Sequence, residues 1–119
     1  MALRIPTELR QRAYCASNRE FAWASEDAQA VIDLASQSGT GILGVEVWLP
    51  TVPGPTIPTP YIYTLTIEPF AGEVHHHFVE RSTQAAREYV KTFVWDPADL
   101  THHGELPYFN FTFVVPQEE

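Results

Sequence analysis

The sequence holds a single cysteine, Cys15, among 119 residues. One cysteine excludes an intramolecular disulfide framework, so the chain must be held by its own core. It also points to a reducing compartment. Positive charge is the second scarcity. Seven Lys and Arg stand against 15 Asp and Glu, for a formal net charge of −8, and Lys91 is the only lysine. A nucleic-acid binder needs basic side chains to neutralise phosphates, so that class is excluded. An anionic membrane surface is disfavoured for the same reason. Long apolar runs are missing as well. No run nears the roughly 20 residues of a membrane span, and residues 1–10 contain no apolar signal-peptide core. The expectation is a soluble cytoplasmic protein. At 45% hydrophobic and 18% charged residues the chain is not disordered. Its length fits one domain, residues 1–119, on a prior of roughly 100–200 residues per domain.

The few basic residues are unevenly placed. Arg4, Arg10, Arg12 and Arg19 fall in the first 20 positions, and beyond them 13 acidic residues face 3 basic ones. The body of the protein is therefore more acidic than the whole. Such a surface steers a basic partner towards itself.

The hydrophobic pattern predicts the elements. A short helix is expected over about 7–16, followed by an edge strand over 19–23 with Phe21 and Trp23 on one face. Ser25 reads as an N-cap, and Glu26 and Asp27 suit the first turn of a helix over 26–37. Ala28, Val31, Ile32 and Ala35 form its stripe, and Ser38-Gly39 closes it. Residues 41–49 are apolar on both faces, which predicts a central strand. In strict alternation Leu43, Val45, Val47 and Leu49 share one face, and Ile42, Gly44, Glu46 and Trp48 the other. Five of the ten prolines lie in 50–60, which predicts a stiff extended loop. Residues 61–68 and 73–80 read as a hairpin around a turn at 69–72. Ser82 reads as the cap of a second helix ending near 94–95. A polar loop over 96–107 leads to a last strand over 108–115, and 116–119 reads as a tail. The fold class is α+β: a mostly antiparallel sheet of four to five strands with two main helices on one face.

Three constellations bear on chemistry. On the hairpin reading, His75 and His77 share a strand face, and His102 with Glu73 or Glu80 extends the set towards a metal site. The spacing matches no zinc signature, and a plain polar strand face accounts for it equally well. Cys15 has no nucleophile signature and reads as structural. Residues 39–44 mimic a glycine-rich phosphate loop, but they precede a strand instead of opening a helix, so that reading is rejected. Glu46 is an acid inside the most apolar strand. A catalytic acid, a structural carboxylate and an anchor for a partner's cation all fit it. Trp48, Tyr61, Tyr63, Trp95 and Tyr108 are the aromatic types found at interface hot spots.

Three segments carry a resemblance. Phe21-Ala-Trp-Ala-Ser-Glu-Asp-Ala28 leads into a helix, Gly41-Ile-Leu-Gly-Val-Glu-Val47 forms a strand with glycines and an acid, and Arg81-Ser-Thr-Gln-Ala-Ala-Arg-Glu-Tyr-Val90 forms a helix. Over about residues 19–115 the chain resembles immunity protein 40 of bacterial polymorphic toxin systems. It departs from that pattern at Val45, where a second glycine is expected, and at Glu46, which replaces an aspartate. The resemblance implies a non-enzymatic inhibitor, without cofactor, that binds one cognate toxin domain as a monomer or weak dimer. The acidic body implies that this domain is basic. By resemblance and charge the contact candidates are Glu46, Trp48, Glu68, Glu73, Trp95, Asp96, Asp99 and Glu105.

Overall fold

A computed structural model describes residues 3–15, 20–49, 63–98 and 105–114. The elements run α1 (Thr7–Arg12), β1 (Tyr14–Cys15), β2 (Phe21–Ala24), α2 (Ser25–Gln37), β3 (Gly41–Trp48), β4 (Thr64–Thr66), α3 (His75–Thr92) and β5 (Tyr108–Val114). The five strands form one sheet in the order β1-β2-β5-β3-β4, antiparallel throughout. The expected α+β class and the expected strand number are both found. The proline-rich loop over 50–60, the tail over 116–119, and Asp99, His102 and His103 lie outside the described residues.

α2 forms where the apolar stripe predicts, with Ala28, Val31, Ile32 and Ala35 buried. It starts at Ser25 itself, with Ala24 as the N-cap and no side-chain cap. Its other end is a Schellman turn. The Thr40 N–H reaches Ala35 O at 2.9 Å and the Gly39 N–H reaches Ser36 O at 3.3 Å. Gly39 has φ 71°, the left-handed conformation that glycine adopts without penalty. α1 is shorter than expected and is held by two contacts. Arg12 grips the Asp27 carboxylate with both Nε and Nη2 at 3.0 Å. The Trp23 indole N–H donates to Leu9 O at 2.9 Å.

The expected 61–80 hairpin does not form. β4 spans only Thr64–Thr66, and residues 75–80 are the first turns of α3. Phe78, Ser82, Ala86 and Val90 are buried four residues apart, with Val79 and Thr83 beside them. Two polar residues sit inside this stripe, and they hide the helical period from a purely apolar count. Ser82 is accordingly no cap. It lies within the helix, fully buried, where its Oγ accepts the Ile42 N–H at 3.0 Å and donates to Val79 O at 3.4 Å.

β3 does lie inside the sheet, between β5 and β4. It does not alternate simply. A register shift between Ile42 and Gly44 inserts one residue, Leu43, opposite β5. Beyond this bulge the faces change places, so Ile42 joins Val45 and Val47. Directly paired residues share a face. Ile42, Val45 and Val47 therefore lie with Phe113, Phe111, Phe109 and Trp23 on one side. α2 and α3 cover that side, and the core forms between them and the sheet.

Candidate functional site

The opposite side of the sheet is built differently. Pairing places Tyr14, Ala22, Ala24, Gly44, Glu46, Trp48, Thr64, Thr66, Tyr108, Asn110 and Thr112 there. Glu46 is the one charged residue in the five strands. It stands directly between Asn110 on β5 and Thr64 on β4. Glu46, Thr64, Thr66 and Thr112 are exposed, whereas Ala22, Trp48 and Asn110 are buried. The Tyr14 and Trp48 rings meet edge to face at 6.0 Å. These strands are separated by β2 and β5, and β2 presents only the small Ala22 and Ala24 to this face. The exposed residues of this face are Glu46 on β3, Thr64 and Thr66 on β4 and Thr112 on β5, while β3 and β5 also carry its buried Trp48 and Asn110.

Trp48 also fixes Glu46. Its indole N–H lies 3.4 Å from Glu46 Oε1, the only hydrogen bond to that carboxylate among the described residues. No described cation pairs with Glu46. Two of the sequence candidates are thus neighbours, one as the exposed acid and the other as its support.

Glu68 and Glu73 belong to a second group, centred on Arg81. The Glu73 side chain is 2% exposed. Its carboxylate accepts Arg81 Nε at 2.9 Å and Nη2 at 2.8 Å, the Phe70 N–H at 2.9 Å and the His77 Nδ1–H at 2.6 Å. The Arg81 hydrogen bonds, more than any other cause, hold the Glu73 carboxyl down at about 2. Arg81 also donates to Glu68 O at 2.7 Å and lies 3.8 Å above the Phe70 ring. Glu73 is therefore committed inside the fold, where it locks the 68–73 turn to α3. Glu68 remains exposed and contributes its carbonyl.

A third group gathers Trp95, Asp96 and Glu105. The Trp95 indole N–H donates to Glu105 O at 2.9 Å, and its ring meets Phe93 and Tyr63 edge to face at 5.1 Å each. The Tyr63 hydroxyl accepts the Asp96 N–H at 3.1 Å, and Asp96 Oδ1 accepts the Ala98 N–H at 2.8 Å. Val94 and Leu106 beside them are 78% and 76% exposed.

The strand-face arrangement behind the metal reading is overturned. His75 and His77 lie on a helix, where residues two apart point about 200° apart. His75 Nε2–H donates to Gly39 O at 2.8 Å, and His77 turns to Glu73. Among the described residues no three His, Cys, Asp or Glu side chains gather around a common point. Sequence reasoning also missed the threonines beside Glu46 and Gly44. Their signal was present: 64, 66 and 112 are the polar positions of alternating strands.

The sequence profile described as Immunity protein 40 matches residues 12–113. The chain belongs to the immunity protein 40 family. It is thus an immunity protein by family, a class that implies a toxin partner. The match covers four strands and both long helices whole, including β3 with Glu46, and β5 up to residue 113. Searches of the curated proteins and of the solved structures find no match. No helix among the described residues is long and apolar enough to cross a membrane.

Proposed function

We propose that this member of the immunity protein 40 family neutralises one cognate toxin domain in the cytoplasm by binding it on the sheet face turned away from α2 and α3. The observation that carries the reading is Glu46, the sole charged residue of the described strands, exposed on that face and without a cation among the described residues. An acid in this position gains most when a partner supplies the missing positive charge. Trp95, Asp96 and Glu105, with exposed Val94 and Leu106, form a second contact. Asp99 joins them by its place in the sequence. Stiff strands and packed aromatics lose little entropy when a partner arrives. A net charge of −8 favours a basic toxin domain and speeds its approach.

The test is co-expression with the toxin domain encoded beside this gene. The chain is expected to restore growth and to co-purify with the toxin at one-to-one stoichiometry. Failure of the folded chain to protect against that toxin would overturn the reading.

A further inference from the structure

We propose that the dent over Gly44 is a socket for one arginine side chain of the toxin domain, with Glu46 as its base; this rests on the toxin-binding reading above. Gly44 has no side chain, and its direct neighbours are Thr112 on β5 and Thr66 on β4. Both threonines are exposed, so they stand as two hydroxyl-bearing walls on either side of a bare floor. The next position along the strand on this face is Glu46, between Asn110 and Thr64. A Cβ on Gly44 would come within 3.2 Å of Leu65 O, a tight approach that favours a bare glycine at this position.

The chemistry of the lining selects its guest. A carboxylate and two hydroxyls are acceptors, and guanidinium offers five N–H donors in a planar fork that a carboxylate engages with both oxygens. The Trp48 indole, on the far side of Glu46, occupies one lone pair and holds the carboxylate in place. Lysine would supply the charge but not the fork. An anion or a purely apolar side chain leaves Glu46 desolvated and unpaired, which is costly. The net negative charge of the chain acts in the same direction.

The experiment measures Kd against a catalytically inactive form of the toxin domain encoded beside this gene. Glu46→Gln keeps the shape and removes the charge, and it is expected to weaken binding about 30-fold or more. Thr64→Arg places a cation opposite Glu46 from within the chain and is expected to weaken binding similarly, while thermal unfolding stays cooperative. Glu88→Gln, on the exposed side of α3, is expected to leave Kd unchanged. Alanine replacement of the toxin's surface arginines is then combined with Glu46→Gln. One arginine is expected to lose affinity in the wild-type background and nothing further in the variant. If Glu46→Gln and Thr64→Arg both bind within threefold of wild type, the socket is wrong and the toxin-binding reading stands. If no arginine is coupled to Glu46, the guest is wrong. If the wild-type chain does not bind that toxin domain, the underlying reading falls and takes the socket with it.

Discussion

Glu46 and Glu73 look alike in the sequence and have opposite fates. Glu46 interrupts an apolar run, and that break in pattern made it legible as a special residue. Glu73 follows a turn just before a run of histidines and reads as a surface acid. Its partner Arg81 is eight residues away, a distance that only α3 as a helix brings back over the turn. Burial with four donors makes Glu73 a fixed anion, and this sets a pH dependence. Its folded value, about 2, lies below the ordinary 4.5, so its stabilising effect is complete above pH 4.5. That effect is lost as pH falls from 4.5 towards 2, where Glu73 takes up a proton. Chemical denaturation across this range should show wild type losing stability more steeply than Glu73→Gln. Equal slopes would mean that the carboxylate is not the source.

At the scale of elements, α2 was readable because its stripe is purely apolar and its end carries a glycine. α3 was half readable. Residues 74–79 are too few to separate a helix from a strand by period, and Ser82 is the residue type that favours caps. The structure uses Ser82 as a bridge between layers. Its hydroxyl meets the Ile42 N–H where the bulge at Leu43 breaks the regular ladder of β3. Ser82→Ala removes that acceptor and leaves a buried N–H with no replacement. Urea unfolding should show a loss of about 1–3 kcal/mol. A change within about 0.5 kcal/mol would show that another acceptor takes over. The bulge itself was not legible, because strict alternation gives no sign of an inserted residue. It decides which face Ile42 serves.

At the scale of the whole molecule, the fold class followed from counting strands against helices, but the strand order did not. Nothing in the pattern says that β5 enters between β2 and β3. The proposed interaction face was legible only in part for the same reason. Gly44, Thr66 and Thr112 come together through pairing across three strands. Charge is the one property of the whole that the sequence states directly. With a net −8, association with the toxin domain should slow by at least tenfold as salt shrinks the screening length from about 10 Å at 0.1 M to about 3 Å at 1 M. Stopped-flow mixing measures this, and dissociation should change little. An on-rate indifferent to salt would remove charge steering from the account.

The position of β5 has a further consequence, in time. It is the last of the described strands, yet it joins β1-β2 on one side to β3-β4 on the other. Until the ribosome has released residues 108–114, those two pairs share no ladder, and the core lacks Phe109 and Phe111. Closing this sheet must therefore wait for residues 108–114, and its rate is set by long-range closure and not by local hairpins. A cell that depends on this protein gains nothing from a nascent chain that stops before β5.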